Sequence, residues 1–400
     1  MKRRRIALVT GSFADATLPL MKNLCQYGFD VDLYYCVFNK HTRVATGFDF
    51  SVGKTMKYGG IYELDYGKSL GCGFIKQFPD SHIYVYQGMN TGGNSTGVKR
   101  FLAGFVCKVM LRNLANVINH GCYDLVELIG PAVFTIWLHK LLKVKNVLMS
   151  FHEVFLNHMD KKSLHPVVKY AISHKLRIRT FSESVKNDVL RYSDTTGINI
   201  MTIPFGLYSC YRDFDQETSR ITLPFSKYIL FSGFIVPYKG LSFLFESIKT
   251  ELDKGEINLV IAGKGYDEAL QKFAGRSNVL IINRWISNSE LIFLIRNSKF
   301  VVCPYLSASQ SGLPQTAFVY NKPVIATNVG GFSGIIDEGK SGYLIDKNNV
   351  VQLREKIMKL YSNEVIYNSM EKYISNFENE KKNFSWSSIV LKYVEFNNLK

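Results

Sequence analysis

Residues 304–331 combine a polar loop with a helix start at which an anion can bind. Apolar residues 300–303 and 324–327 predict two buried strands, and a short helix is expected to open near Gly312 between them. A strand, a glycine-containing loop, a helix and a strand in this order make a parallel α/β unit. The first N–H groups of a helix have no partner within it and attract anions. A diphosphate at the end of a parallel sheet is therefore the first ligand to expect.

Four residues at this helix start are the candidates for holding the distal phosphate. They are Gln310, Ser311, Gly312 and Leu313. Their backbone amides and a serine hydroxyl are the expected donors. An ordinary N-cap made by Ser309 or Ser311 is the alternative, and both descriptions can hold together.

The elements that must position this loop belong to a chain of 400 residues, of which 46% are hydrophobic and 20% charged. These values are ordinary for a globular protein, and the length suggests two domains. Short apolar strands alternate with helices, which predicts parallel sheets covered on both faces. We place the first domain at residues 1–205, the second at 206–375, and a C-terminal helix, expected to pack back on the first domain, at 376–400. Residues 205–226 break the alternation and are expected to form a linker.

The predicted strands are short and evenly spread over both halves of the chain. They occupy residues 6–10, 31–36, 83–86, 125–128, 146–151, 178–181, 200–203, 228–232, 259–262, 279–282, 300–303, 324–327 and 343–345. Helices predicted between the strands of the first half occupy residues 98–118, 132–142, 165–174 and 184–192.

Charge, cysteines and hydropathy narrow the function classes. Of the net charge of +16, +12 lies in residues 1–200, which attracts an anionic membrane, a phosphorylated acceptor or nucleic acid, or is simply a solvated basic surface. The seven cysteines are scattered without a CxxC pair, so we expect neither a disulfide framework nor a zinc site, and the usage fits a reducing cytoplasm. We find no apolar run long enough to span a bilayer.

Asp30-Val-Asp32 spells a DxD motif of the kind that binds metal ions. It stands at the start of an apolar strand, directly after Gly28. We therefore interpret it as a turn at the edge of the sheet and expect no metal site.

At this point the chain resembles the family 4 glycosyltransferases, the large retaining group with the GT-B fold. Three motifs occur in the order that is usual in the second domain of that family. They are Ser232-Gly-Phe-Ile-Val-Pro-Tyr-Lys-Gly240, Ile261-Ala-Gly-Lys-Gly265 and Asn321-Lys-Pro-Val-Ile-Ala-Thr-Asn-Val-Gly-Gly331. The resemblance implies two Rossmann-like domains with a cleft between them.

The chain departs from the family at four positions. The two glutamates of the family's Glu-x7-Glu helix fall on Ser309 and Ala317, the arginine after the strand falls on Phe234, and the glutamate after Gly-Gly falls on Gly334. The chain looks like a branch with a Gln-Ser-Gly loop in place of the glutamates. Which residue replaces the ribose-binding glutamate at Ala317 stays open.

Within this resemblance, Lys239 matches the family's characteristic lysine and is the first candidate to offset the charge of the leaving diphosphate. Arg284 follows a strand and is the candidate for a second positive charge, with a surface salt bridge as the alternative. His152, after another strand, matches the position that faces donor sugar and acceptor, and Glu153 is the acceptor-side candidate. Lys239 and His152 therefore rest on the resemblance, and Arg284 rests on its position after a strand.

Five residues beside strands are further candidates for the donor site. Gly11 and Ser12 follow the first strand, in the loop that the family uses near the diphosphate and sugar. Gly233, Gly263 and Gly265 are expected to let the donor approach the backbone closely. A tight turn is the alternative at each glycine.

The resemblance implies a metal-independent, retaining glycosyltransferase of the hexosyl type that uses a UDP- or GDP-type nucleotide sugar and no cofactor. The acceptor is expected to be a glycan or a lipid-linked saccharide in bacterial surface polysaccharide synthesis, with the protein cytoplasmic or peripheral on the inner membrane face. A non-catalytic GT-B scaffold is the alternative, because both family glutamates are absent. We expect no nucleic acid partner, since the chain lacks basic-aromatic RNA motifs.

Overall fold

The computed structural model describes residues 3–38, 52, 55–66, 69, 72–89, 98–156, 163–192, 194–214 and 221–399. The chain divides into two compact units. The first consists of Met1–Gly206 and Trp386–Lys400, and the second of Leu207–Ser385.

The first unit is built on an eight-stranded sheet in the order β3-β4-β2-β1-β5-β6-β7-β8. Its strands are β1 (Arg5–Thr10), β2 (Asp30–Val37), β3 (Ile61–Glu63), β4 (His82–Gln87), β5 (Leu125–Ile129), β6 (Val147–Phe151), β7 (Arg177–Thr180) and β8 (Ile200–Thr202). All neighbours are parallel except β3 and β4, which are antiparallel. The central strands are fully buried because helices cover the sheet, as their apolar runs predict.

In the described part of this unit, five helices connect its strands. They are α1 (Ala14–Tyr27), α2 (Val98–His120), α3 (Phe134–Leu141), α4 (Pro166–Ser173) and α5 (Glu183–Tyr192). One face of α2 is buried through Leu111, Leu114 and Ile118, while Phe105 and Val109 are exposed.

The second unit contains a six-stranded, all-parallel sheet in the order β11-β10-β9-β12-β13-β14. Its strands are β9 (Ile229–Ser232), β10 (Leu259–Gly263), β11 (Val279–Asn283), β12 (Phe300–Cys303), β13 (Val324–Thr327) and β14 (Gly342–Ile345). Its helices are α6 (Leu241–Asp253), α7 (Leu270–Phe273), α8 (Asn288–Asn297), α9 (Leu313–Val319), α10 (Phe332–Ile335), α11 (Val350–Ser362), α12 (Glu364–Ser375) and α13 (Phe377–Glu380).

The last helix, α14 (Trp386–Phe396), belongs to the first unit, where the Tyr393 hydroxyl donates a hydrogen bond to Glu127 Oε2 at 2.7 Å. The expected start of this helix at residue 376 was wrong. Residues 376–385 remain in the second unit, since the ring of Phe377 lies 4.9 Å from that of Phe318 and Phe384 packs into the same core.

The expected linker at residues 205–226 is only partly a connection. Leu207, Tyr208, Cys210 and Tyr211 are buried, and the single-turn helix Ser209–Phe214 packs against α8 and α9. These apolar side chains make the segment part of the second unit's core rather than a solvated linker. Residues 215–220 lie outside the described part of the chain.

Every strand predicted from the sequence is present, with bounds that differ by at most one residue at either end. The sequence interpretation missed β3, a three-residue strand on the edge of the first sheet. Its burial is intermediate to exposed, so it lacks the apolar run by which the other strands were found.

Candidate functional site

Lys239 lies where the carboxyl end of β9 turns into α6, in the short helix Pro237–Lys239. Two backbone contacts fix this turn against the segment that follows β12. Leu306 N–H donates to the Tyr238 carbonyl at 2.7 Å, and Gly240 has φ 76° with a Cβ position that would overlap the carbonyl oxygen of Pro304. A side chain at residue 240 would therefore separate the two segments.

The Lys239 ammonium lies over the face of an aromatic ring, with its Nζ 3.7 Å from the ring centroid of Tyr305. Among the described residues it makes no salt bridge. Burial lowers the pKa of Lys239 to about 8, and burial also raises the pKa of the neighbouring Cys303 thiol to about 12, so the thiol is neutral. The site thus holds a half-buried cation that no carboxylate of the described residues neutralises.

The predicted phosphate loop is half-buried, and Gly312 is the N-cap of α9. Within the described residues, the N–H groups of Gln310, Ser311 and Gly312 donate to no backbone carbonyl. The Leu313 N–H instead points to Ser311 Oγ at 3.4 Å, so the N-cap alternative holds in part. Tyr208 lies against Gly312, where a Cβ would overlap its ring.

Gly263 and Gly265 have φ of 154° and 152°, and the structure gives both a packing reason. A Cβ on Gly263 would overlap the Gly233 carbonyl oxygen, and a Cβ on Gly265 would overlap that of Ile235. Gly265 and Ile235 form a parallel bridge beyond the strands. The group that approaches these glycines closely is the 233–235 backbone, which the sequence interpretation, with a donor contact or a tight turn, did not consider.

Arg284, at the end of β11, forms a bidentate pair with the Glu290 carboxylate at 2.7 and 2.9 Å. Glu290 also accepts the Ser287 N–H at 3.0 Å in the capping box of α8. The salt-bridge alternative is thus the one the structure favours. Its positive charge is compensated, which leaves Lys239 as the candidate cation without a carboxylate.

In the first unit, His152 follows β6, and its ring lies 4.1 Å from the ring of Phe13, which follows β1. Phe13 takes a left-handed conformation, with φ 61°, that places its ring there. The Nδ1 of His152 is buried without a hydrogen-bond partner in the described residues, and burial lowers the His152 pKa to about 3. The imidazole is therefore neutral at physiological pH.

Gly11, Ser12 and Glu153 lie on the same carboxyl edge of the first sheet. Ser12 N–H donates to Thr10 Oγ1 at 3.2 Å, and a Cβ on Gly11 would lie 3.3 Å from the Cys36 carbonyl oxygen. Glu153 Oε1 accepts the Phe155 N–H at 3.3 Å, which orders the loop after β6. Each of these residues thus has a local structural role beside its proposed role at the site.

Two functional candidates were missed at the sequence level, namely Tyr305 and Phe13. Tyr305 follows β12 in Cys303-Pro-Tyr305, and only its position after a strand could have drawn attention to it. Phe13 is the residue after Gly11-Ser12, and its left-handed backbone is not encoded in a recognisable pattern.

Two positions where the family has a charged residue, a glutamate at Ala317 and an arginine at Phe234, offer no replacement for it. Ala317 is fully buried in the core of the second unit, and Phe234 is 54% exposed with its ring 6.2 Å from that of Trp285. The residues the structure describes contain no group of three or more side chains that could hold a metal ion.

The DxD carboxylates are used within the first sheet. Asp32 pairs with Arg5 at 2.8 Å, accepts a hydrogen bond from Tyr123 and accepts the His82 N–H at 3.0 Å. Asp30 lies 3.7 Å from Arg3. Both residues lie within β2, which pairs with β1 on one side and with β4 on the other, so the expected turn at the sheet edge was wrong.

The fold is α/β with two Rossmann-like units on parallel sheets, the arrangement of the GT-B glycosyltransferases. Among solved structures, the chain is similar to a variant of Staphylococcus aureus TarM in complex with fondaparinux, alpha-GlcNAc-glycerol and UDP. That similarity has a TM-score of 0.64, 14% identity, and covers 99% of this chain and 100% of that one.

Residues 215–379 match the family model "Glycosyl transferases group 1". An uncharacterized glycosyltransferase of Methanocaldococcus jannaschii is 33% identical over 164 residues, 40% of this chain and 45% of that protein. The capsular polysaccharide biosynthesis glycosyltransferase CapM of Staphylococcus aureus is 22% identical over 210 residues, 49% of this chain and 52% of that protein. The matching stretches span about half the length of these curated relatives. The second unit is thus similar to group 1 glycosyltransferases.

Proposed function

We propose that the protein is a retaining, metal-independent glycosyltransferase that moves a hexose from a nucleotide diphosphate sugar to a glycan or lipid-linked saccharide. The observation that carries the proposal is the Lys239 ammonium without a carboxylate partner, at the carboxyl edge of a parallel sheet. An anionic ligand is the partner that such a cation lacks. The similarity of residues 215–379 to group 1 glycosyl transferases supports a nucleoside diphosphate as that ligand.

The donor diphosphate is proposed to bind the second unit between Lys239 and the loop of Gln310, Ser311 and Gly312. The ammonium supplies the positive charge, and the loop amides supply hydrogen bonds to the distal phosphate. The Leu313 N–H does not bind the phosphate as long as it donates to Ser311 Oγ. A UDP-type donor is proposed because the similar TarM structure holds UDP. A GDP-type donor, which carries a purine instead of a pyrimidine base, is the alternative to be tested.

The proposed transfer breaks the bond between the sugar anomeric carbon and the diphosphate oxygen. The acceptor hydroxyl oxygen forms its bond to the same face of that carbon, and its proton passes to the leaving phosphate oxygen. Lys239 offsets the negative charge that develops on the diphosphate. His152 and Glu153 are the proposed residues on the acceptor side, where a neutral imidazole can exchange hydrogen bonds with hydroxyl groups but carries no charge.

Bacterial surface polysaccharide synthesis is proposed as the setting because CapM, a capsular polysaccharide glycosyltransferase, is similar over half of the chain. No helix among the described residues is long and apolar enough to cross a bilayer. Peripheral membrane contact through α2 is part of the proposal, because Phe105 and Val109 are exposed beside Lys108. The side chains of Lys99 and Arg100 lie outside the described part.

The membrane component has a direct test. The protein is expected to sediment with anionic vesicles at low salt and to be released as salt increases. Equal sedimentation with neutral and anionic vesicles would remove the membrane from the proposal and leave the transferase activity untouched.

The transferase proposal is tested by incubating the protein with a panel of UDP- and GDP-sugars and saccharide acceptors. Transfer of sugar, with the anomeric configuration of the donor kept in the product by NMR, is the expected result. The Lys239→Met variant should lose transfer, whereas Lys254→Met, at an exposed lysine after α6, should keep it. Inverted configuration in the product would contradict the retaining mechanism.

A non-catalytic binding subunit is the second candidate, and the full burial of Ala317 at a family glutamate position favours it. The panel distinguishes the two. Tight binding of a nucleotide sugar without transfer or hydrolysis across the panel supports the binding subunit, and turnover excludes it.

A further inference from the structure

Tyr305 occupies an unusual place beneath the proposed diphosphate site. It follows β12 and is 2% exposed, with its ring face 3.7 Å from the Lys239 Nζ. The edge of the ring packs against Phe332, with centroids 5.3 Å apart. The ring cannot move without disturbing the core, so its face is a fixed surface.

The hydroxyl of Tyr305 is buried beside the side chains of Ser311 and Cys303. Among the described residues it makes no hydrogen bond of ordinary geometry. Ser311 belongs to the proposed phosphate loop, so a single side chain contacts the cation with its face and the loop with its polar end. Tyr305 therefore lies next to both Lys239 and Ser311.

We propose that Tyr305 is a positioning residue at the donor diphosphate site. Its ring holds the Lys239 ammonium in place, as a carboxylate would do at another site. A carboxylate would hold the lysine equally well but would cancel its charge. An aromatic face attracts the ammonium through its quadrupole and leaves the net charge at +1. This inference rests on the proposed function, because it specifies how that site binds its anion.

The groups that face the ammonium are Cys303, the rings of Tyr305 and Tyr238, and the backbone at Gly233. Neither Cys303 nor Tyr305 ionises near neutral pH, since burial raises the pKa of both groups. The Lys239 pKa of about 8 then sets the pH dependence of the site. The affinity for a nucleoside diphosphate should be highest below pH 8 and should fall as the pH rises through that value, because the free protein loses the lysine proton.

The experiment measures the Kd of UDP and GDP by calorimetry from pH 7 to pH 9.5 for four proteins. Wild type and Tyr305→Phe should bind alike, since the Phe ring keeps the aromatic face. Tyr305→Leu should bind about threefold to thirtyfold more weakly, with the midpoint of its pH dependence moved to lower pH, because the ring no longer stabilises the charged form. Tyr343→Leu is the matched control, as Tyr343 is equally buried under a lysine, with Lys356 Nζ 4.3 Å from its ring. It should bind as wild type does.

Two outcomes overturn the inference, and they differ in what else they overturn. If wild type binds UDP or GDP and Tyr305→Leu matches it in both Kd and midpoint, the positioning role is wrong while the proposed function stands. If wild type binds neither UDP nor GDP, the proposed function fails and takes this inference with it. Should Tyr305→Leu fold poorly, a Tyr305→Phe protein that loses affinity would likewise contradict the role of the ring face.

Discussion

The guanidinium of Arg179 and the carboxylate of Glu127 form an ion pair at 3.0 Å, and neither side chain has any exposure to solvent. Arg179 also donates to the carbonyls of Ile203 and Pro204, just before the chain leaves the first unit. Glu127 accepts further hydrogen bonds from Ser150 and Tyr393, the latter on the last helix. The Arg179–Glu127 pair therefore holds two parts of the first unit in place. One is the segment at Pro204, just before the chain leaves this unit, and the other is α14, with which the chain returns to it.

Removing only the cation should destabilise the first unit strongly. Arg179→Met leaves the Glu127 carboxylate buried without its charge partner, at an expected cost of about 3–5 kcal/mol in the free energy of unfolding. Urea unfolding followed by tryptophan fluorescence measures it, since Trp137 and Trp386 lie in the first unit. Arg179→Met combined with Glu127→Gln should recover much of the loss. If the free energy of unfolding of Arg179→Met lay within about 1 kcal/mol of that of the wild type, the pair could not be fully buried.

Loss of the Lys239 charge should weaken nucleoside diphosphate binding about tenfold to a hundredfold. This ratio of Kd values corresponds to the free energy that one hydrogen bond to a charged group contributes. The Lys239→Met variant keeps the apolar stem over Tyr305 and removes only the ammonium. Calorimetric titration with UDP and GDP gives the Kd, and Lys254→Met serves as the surface control. Unchanged affinity in Lys239→Met would show that the diphosphate binds elsewhere.

Arg284 should contribute little to nucleotide affinity. Its pair with Glu290 already compensates the charge, and its side chain is 51% exposed. Arg284→Met is expected to change the Kd by less than about twofold and to cost about 0–1 kcal/mol of stability, as exposed ion pairs do. A loss of affinity of more than about tenfold would indicate that Arg284 contacts the phosphates. It would also show that the Arg284–Glu290 pair opens when the nucleotide binds.

Because its pKa is lowered in the folded protein, His152 should lower the free energy of unfolding in mild acid. Its pKa is lowered in the fold from 6.5 to about 3, so the unfolded chain takes up a proton that the folded protein excludes. Stability is full above pH 6.5 and falls as the pH decreases, by roughly 1 kcal/mol at pH 5.5 from this group. Thermal unfolding at pH 7 and pH 5.5 should show a smaller loss in His152→Gln than in wild type. Equal losses in the two proteins would mean that His152 titrates normally.

Gly263, the last residue of β10, should tolerate no side chain. In Gly263→Ala the new methyl group would overlap the Gly233 carbonyl oxygen at a φ that alanine avoids. We expect a loss of more than about 2 kcal/mol or an insoluble protein. Gly334→Ala is the control, because nothing lies within 4 Å of its Cβ position. Comparable stability of the two variants would show that the 233–235 backbone moves away easily.

The strands and the position of Lys239 could be predicted because both depend on local patterns. Buried parallel strands carry continuous apolar runs, and the lysine follows one of them in a recognisable order of motifs. A surface salt bridge was the alternative for Arg284, but its partner Glu290 was not identified from the sequence.

The contact between Lys239 and Tyr305 could not be predicted from the sequence. Sixty-odd residues separate them, and the contact exists only because the Pro237–Lys239 turn docks on the segment after β12. The packing of Tyr208 against Gly312 has the same origin. Such contacts follow from tertiary arrangement, which neither residue type nor spacing encodes.

The membership of Trp386–Phe396 in the first unit has a consequence for synthesis on the ribosome. The nascent polypeptide emerges from its N-terminus, and domains usually fold in that order. Here the first unit lacks a core helix until residues 386–396 have been translated, whereas the second unit ends before them, at Ser385. We infer that the second unit completes its structure first, so that the vectorial order of folding is reversed.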